Sequence, residues 1–168
     1  MNKYLLSSKR VGLRLLSSED IEYLCELNSD PEVRKFFPDG MQNRQQTETR
    51  MNTMITAYEE AGFPCFILFH LESEEFMGRA GFGQFASGEI EVGYLLHKKF
   101  WHQGYATEIL TLLLGWAKNN INKDYIIAMA PKAHLASLRV MQKCGMQYYK
   151  EDMAYGVPCD FFRINNRV

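Results

Sequence analysis

The run Phe100-Trp101-His102-Gln103-Gly104-Tyr105-Ala106-Thr107-Glu108 sets a glycine where an extended segment gives way to a helix with an apolar stripe. Such a junction has chemistry of its own. The first-turn N–H groups of a helix lack intrahelical acceptors and carry partial positive charge, and a glycine at the turn lets a phosphate approach the backbone closely. The junction therefore suits a pyrophosphate. Taken alone, a Gly-x-Ala at a helix start is more often a residue relieving a tight turn, and spacing does not separate the two readings. The other reactive side chains form no constellation. Cys25, Cys65, Cys144 and Cys159 lie far apart with no C-x-x-C pair, and the four histidines cluster neither with them nor with one another. Free thiols and no metal are expected. His70, His97 and His102 have no partner in sequence and are given no role.

The elements that must hold this junction are short and varied. Val11, Leu13 and Leu15 alternate as a first strand, and Ser17-Ser18-Glu19-Asp20 offers capping side chains to a helix beginning at Ile21; Glu19, Asp20 and Glu22 are expected to cap and solvate it. After the turn-like Ser29-Asp30-Pro31, a second helical pattern runs through Met51, Met54, Ile55 and Tyr58 and ends at Gly62 and Pro64. Phe36 and Phe37, just past that turn, are candidates either for core or for an acceptor cleft. Strand-like runs at Cys65–Leu71, Glu75–Phe85 and Glu89–Leu96, joined by links of hairpin length, predict an antiparallel meander. The apolar face Ala106, Ile109, Leu110, Leu113, Leu114, Ala117 marks a helix over Gly104–Ala117. A buried strand at Tyr125–Ala130, a helix from His134 to Cys144 stopped by Gly145, and strands at Met146–Glu151 and Cys159–Asn165 complete an α/β sheet of mixed direction.

Composition agrees with one continuous unit. In 168 residues, 46% hydrophobic and 23% charged, there is no repeat or linker, so residues 1–168 are expected to form a single domain. Lys plus Arg number 19 against 20 Asp plus Glu, a balance that gives no long-range attraction for nucleic acid or an acidic membrane. The apolar stretches Phe63–Leu71 and Ile109–Ala117 fall short of the roughly 20 residues of a membrane span, and Met1–Leu16 lacks a signal-peptide pattern, so a cytoplasmic location is expected.

The ordered motifs carry a resemblance. Glu91-Val92-Gly93-Tyr94, then Gly104-Tyr105-Ala106-Thr107-Glu108, then Ser137-Leu138-Arg139-Val140 with Lys143-Cys144-Gly145-Met146, resemble the GNAT superfamily of N-acetyltransferases. Asp30-Pro31-Glu32-Val33 and Met77-Gly78-Arg79-Ala80-Gly81 are similar to its ribosomal-protein N-acetyltransferase branch, and the likeness covers nearly the whole chain. The resemblance implies a mixed, mostly antiparallel sheet flanked by helices and splayed where the pantetheine arm of acetyl-CoA, the co-substrate, inserts beside the strand ending near Leu96. By the same resemblance Leu96 pairs with that arm through its backbone, Gln103, Gly104, Tyr105, Ala106 and Thr107 hold the pyrophosphate, and a primary amine arrives from the opposite side.

Three positions depart from the pattern. Trp101 stands where many members have Gln or Arg, His134 replaces an asparagine that commonly meets the cofactor, and Met141 occupies the place of a tyrosine acid. Protonation of the leaving thiolate is left to Ser137, Tyr148, Tyr155 or water. His134 remains a candidate cofactor contact.

The implied reaction needs a base, since an α-amine with a pKa of about 7.7–8.0 or a lysine at about 10.4 is mostly protonated at neutral pH. Glu91 alternates with Ile90 and Val92, lies on the strand leading to the cofactor turn, and is the first candidate; a solvated strand carboxylate is the other reading, and Glu89 on the same face is the fallback. For Ser137, helix capping, a cofactor contact and proton relay are all open. The acceptor is a protein N-terminus or a small molecule such as a polyamine, amino acid or antibiotic. A module that binds acyl-CoA without catalysis is the rival that Met141 and His134 leave standing.

Overall fold

The computed structural model describes residues 3–167 and contains eight strands in one sheet, in the order β1-β2-β3-β4-β5-β6-β8-β7. Among the described residues the strands are β1 (Leu6–Ser7), β2 (Val11–Leu15), β3 (Cys65–His70), β4 (Phe76–Gln84), β5 (Ile90–Leu96), β6 (Tyr125–Pro131), β7 (Gln147–Ala154) and β8 (Val157–Asn165). The helices are α1 (Ile21–Asn28), α2 (Pro31–Arg34), α3 (Arg44–Ala61), α4 (Tyr105–Asn120) and α5 (Leu135–Lys143). Every neighbouring pair is antiparallel except β5 with β6, so the expected mixed α/β sheet with flanking helices is what forms. The alternating patterns place the strands and the 3.6-residue stripes place the long helices. Two short elements escaped both periods: β1 is a two-residue strand, and Pro31–Arg34 is a single helical turn in a segment expected to be a turn.

Each sheet face has its own cover. On β5, Val92 and Leu96 point into the main core, where they meet the α4 stripe of Ile109, Leu110, Leu113 and Leu114. The alternate positions face the other way, toward α1–α3: Leu95 packs with Leu27 of α1 and Val33 of α2, while Ile67 packs with Leu24 of α1 and Met51 of α3. On β4 the same alternation sends Arg79, Gly81 and Gly83 to the α1–α3 face, opposite Leu95, Gly93 and Glu91 of β5.

The α1–α3 layer is tied to the sheet by a charge pair at Asp20, which caps the turn before α1 as expected but does so from a buried rather than a solvated position. Asp20 is only 3% exposed. Its carboxylate accepts from both terminal nitrogens of Arg14 on β2, at 3.1 and 2.8 Å, and from the Ser17 backbone N–H at 2.8 Å. A buried carboxylate needs those partners, which is why Asp20 turns inward rather than toward water. Removing it leaves the Ser17 amide without its acceptor and the Arg14 guanidinium with only the Leu15 carbonyl, at 3.4 Å. Asp20→Ala is expected to cost about 2–3 kcal/mol and lower the melting temperature by roughly 5–10 °C in a calorimetric scan, whereas Glu19→Ala at the exposed neighbouring position should move it by no more than about 1–2 °C.

Candidate functional site

The site is built around a place where the sheet comes apart. β5 and β6 run parallel, yet their register contains one pair, Glu91 opposite Ile127. Beyond it β5 continues to Leu96 against β4, while β6 continues to Pro131 against β8. The two strands thus diverge into a cleft whose walls include backbone that neither supplies to the other. At its mouth sit the end of β5, the turn into α4, and the loop before α5.

The turn into α4 is held from outside the helix. Gly104 is the helix N-cap with φ 83°, the left-handed region that glycine occupies without strain. The carboxylate of Glu108 accepts from the Ser8 hydroxyl at 2.6 Å, the Arg10 backbone N–H at 3.0 Å and Arg10 Nε at 2.8 Å. Burial alone would raise the Glu108 pKa, but these bonds hold it below the usual carboxylate range. Arg10 also donates to the Gln103 carbonyl at 3.1 Å and lies 4.0 Å from the centre of the Tyr105 ring. Tyr105 is buried, Ala106 and Thr107 are half-buried, and the Thr107 carbonyl receives the Cys144 thiol at 3.6 Å. The junction is a preformed turn whose first-turn amides precede the first intrahelical bond, from Glu108 N–H to the Gly104 carbonyl. The Leu96 carbonyl accepts from the Trp101 indole at 2.9 Å, which accounts for a tryptophan at that position.

Ser137 and His134 are positioned by α5. Ser137 does not cap its helix. Its Oγ lies 3.0 Å from the hydroxyl of Tyr94, so the pair joins α5 to β5 across the main-core face of the cleft. Burial raises the Tyr94 pKa to about 12, and its hydroxyl stays protonated at any ordinary pH. The His134 ring stacks on Phe36 at 4.0 Å and 12°. Burial, reinforced by Lys35, lowers its pKa to about 4, so it is neutral near pH 7. Met141 is buried in the main core and Tyr148 is exposed, packed edge-on against Phe162. Phe37 lies under the Arg34 guanidinium, 3.9 Å from its centre, and lines the apolar cluster with Leu27 and Val33.

Glu91 occupies the opposite face, toward α3. Its flank is apolar, with Ile127, Cys159 and Phe161 in one buried cluster. Burial raises its pKa to about 7, opposed by the charges of Arg50 on α3 and Arg79 on β4. Next to it the strands carry no side chains. A Cβ at Gly83 would meet nothing within 4 Å, and one at Gly93 only Glu91 Oε1 at 3.6 Å. The β7–β8 turn, Tyr155-Gly156 with φ 51° and 80°, brings Tyr155 to this opening, where its hydroxyl is close to Arg50 and feels Glu91. Glu89 lies outside the strand and is bound by the Tyr125 hydroxyl at 2.9 Å and the Ser87 hydroxyl at 3.1 Å.

Sequence reasoning gave Arg50, Arg79 and Tyr94 no role. The signal was present for Arg79: in Arg79-Ala80-Gly81-Phe82-Gly83, period two puts the arginine and both glycines on one face and the core residues on the other.

Comparison with known proteins agrees with this architecture. The chain is 26% identical over 149 residues to an N-acetyltransferase named p20 of Bacillus licheniformis, covering 84% of this chain and 82% of that one. A GNAT-family acetyltransferase from Bacillus anthracis superposes with a TM-score of 0.81 at 23% identity, covering 96% and 98% of the two chains. The RimL ribosomal L7/L12 α-N-protein acetyltransferase, solved with coenzyme A, superposes with a TM-score of 0.81 at 14% identity over 96% and 97%. The model of the GNAT acetyltransferase domain matches residues 10–147, and the chain therefore belongs to the GNAT family of acetyl-CoA-dependent N-acetyltransferases.

Proposed function

We propose that this acetyltransferase uses Glu91 as the base that prepares a primary amine, and the Tyr94–Ser137 hydroxyl pair as the route by which the leaving thiolate is protonated. The observation that carries the reading is the placement of these groups on opposite faces of one strand at the point where β5 leaves β6. On the α3 face an ammonium substrate loses a proton to Glu91, directly or through a water. The neutral nitrogen attacks the acetyl carbonyl carbon, the tetrahedral adduct collapses with cleavage of the C–S bond, and the sulfur takes a proton from Ser137 Oγ as the Tyr94 hydroxyl passes its own proton to Ser137 and takes one from solvent. Glu91 gives the amine's proton up to solvent, so both groups return to their starting states. The products are the acetamide and CoA thiol. Each group has the protonation state its task requires: a carboxyl near pKa 7 is ionised in a large fraction of molecules at neutral pH and still basic enough to accept a proton, and a buried tyrosine remains a donor.

For the co-substrate, the reading gives the pyrophosphate to the backbone of Gln103 through Thr107 and pantetheine to the edge of β5 at Leu96. Since the Leu96 carbonyl is taken by Trp101, the amide of that residue is the group offered. His134, stacked and neutral, contributes an aromatic wall rather than a charge. The acceptor is an amine on a protein N-terminus or on a small molecule. The ribosomal-protein neighbour supports the first and an aminoglycoside acetyltransferase neighbour, with a TM-score of 0.77 at 15% identity, the second, and the exposed strand at Gly83 obstructs neither.

Binding and chemistry are separable. Acetyl-CoA at about 100 times its dissociation constant should add about 2.7 kcal/mol, a rise of roughly 5–10 °C in melting temperature. Gly104→Ala, forced to hold an alanine in the left-handed region, should lose about 1–2 kcal/mol of stability and at least tenfold in acetyl-CoA affinity by calorimetry; unchanged affinity would make the glycine a turn residue only.

The rate should depend on Glu91 in a defined direction. As a base it works ionised, so with a saturated amine kcat should rise with pH through about 7. Glu91→Gln should lower kcat by about 10²–10⁴-fold, erase that limb and leave the acetyl-CoA dissociation constant in place. An unchanged kcat between pH 6 and 9 would return Glu91 to the strand surface. Ser137→Ala and Tyr94→Phe should each slow the acetyl-transfer step measured by single-turnover quench, and the double variant should be no slower than the worse single one, as expected for two groups acting in series.

A further inference from the structure

Two arginines face the opening beside Glu91. Arg79 extends from β4 on the same face as Gly81, Gly83 and, across the ladder, Glu91 and Gly93. It is half-buried, and no hydrogen bond or ion pair joins it to any described residue. Its nearest electrostatic neighbours include Arg50 and Glu91, and burial lowers its pKa. Arg50 approaches the same opening from α3, beside the Tyr155 hydroxyl. A third arginine, Arg34, feels both of the others, but its own charge is already met by Asp39 at 2.7 Å. A half-buried guanidinium with its fork of donors unengaged is costly, and a planar oxyanion relieves that cost with two parallel hydrogen bonds.

We infer that Arg79, assisted by Arg50 and the Tyr155 hydroxyl, forms an anion subsite next to Glu91, and that the preferred acceptor is a primary amine whose own scaffold carries a carboxylate. This rests on the reading of Glu91 as the base, since the subsite matters to turnover only if the amine is presented there. Room for the acceptor lies at Gly83 and Gly93, beside Glu91, whereas at Gly81 the backbone of Pro64 and Cys65 closes over the strand; the amine meets the carboxylate of Glu91, and the acid group meets Arg50 and the guanidinium of Arg79 reaching past Gly81. Two arginines against one carboxyl also give the opening a positive field, which opposes polycationic acceptors such as polyamines through like-charge repulsion. The same chemistry arises in a free amino acid or dipeptide and in a peptide whose first residues are acidic.

The test pairs each acid with its amide. Release of CoA thiol is followed with glutamate against glutamine amide, with a hexapeptide bearing Asp at positions two and three against its Asn counterpart, and with spermidine. The carboxylate form of at least one pair should show kcat/KM at least tenfold above its amide form, mainly through KM, with spermidine below both; the pair that shows the larger ratio identifies the source. Arg79→Gln should reduce that ratio to within about twofold, and Arg50→Gln, an exposed helix position whose folding is not at risk, should reduce it in the same direction. Calorimetry of the preferred carboxylate acceptor with the unmodified protein and with Arg50→Gln reads the subsite without turnover, so a dead enzyme that still binds the acid in an arginine-dependent way would count against Glu91 alone. Equal use of acids and amides, a preference for spermidine, or a ratio that survives both arginine substitutions would overturn the inference. A role confined to setting the charge of Glu91 would shift the pH profile of both members of a pair alike and leave their ratio untouched, and would overturn it equally.

Discussion

The architecture turns on a pairing that stops. Parallel strands normally share a continuous ladder, because each backbone amide and carbonyl withheld from water needs a partner. Here the ladder between β5 and β6 contains the pair Glu91–Ile127, after which one strand follows β4 and the other β8. Each half of the sheet remains satisfied on its outer side, and the inner edges are left to face a cleft. A ligand arm with amide groups can complete such an edge as a strand would, and the proposed pairing of pantetheine with β5 draws on those unmet hydrogen bonds. At the far end, helix α4 presents first-turn amides that precede its first intrahelical bond.

The cleft is held rigid by contacts remote from any reacting atom. Ser8 and Arg10 hold Glu108, Arg10 holds the Gln103 carbonyl, and the Trp101 indole holds the Leu96 carbonyl. Together these fasten both ends of the segment between β5 and α4. The loop before α5 is fastened by a stack of His134 on Phe36, an aromatic contact in place of an amide side chain. Preorganised backbone donors need no rearrangement when charge arrives, which is the advantage of placing them in a braced turn rather than on mobile side chains.

Much of this was legible in the residues and some was not. The strand bounds Val11–Leu15, the meander, the α4 stripe and the glycine at its start follow from local periodicity and turn chemistry, which act over a few residues. The inward turn of Asp20 was hidden, because the partner that draws it into the core, Arg14, lies on another element and looks in sequence like any solvated charge. Tyr94 and Ser137 are separated by 43 positions, and only the packing of α5 across β5 brings their hydroxyls together. The pair Arg50 and Arg79 is of the same kind: α3 and β4 contribute one residue each, and neither stands out until the fold sets them near Glu91. Sequence periodicity assigns a side chain to a face, but the opposing layer decides what it meets there.

The division of chemistry between faces follows from that same alternation. Amide formation requires a proton to leave the nitrogen and another to reach the sulfur, and a single group serving both would have to change its protonation state within one turnover. On β5 consecutive side chains point to opposite faces, so Glu91 and Gly93 lie toward α3 while Val92, Tyr94 and Leu96 lie toward α4. Burial then acts in opposite senses on function. It makes the carboxyl of Glu91 a stronger base and keeps the phenol of Tyr94 a donor, because in both cases the charged form is the one disfavoured. The buried methionine at position 141 leaves no hydroxyl at that point of α5, and Ser137, one helical turn earlier, is the residue that reaches β5. A short strand with a period of two thus sets a buried carboxyl on one side of the cleft and a phenol on the other, close to where β5 diverges from β6, and the proposed roles of base and proton donor rest on that placement.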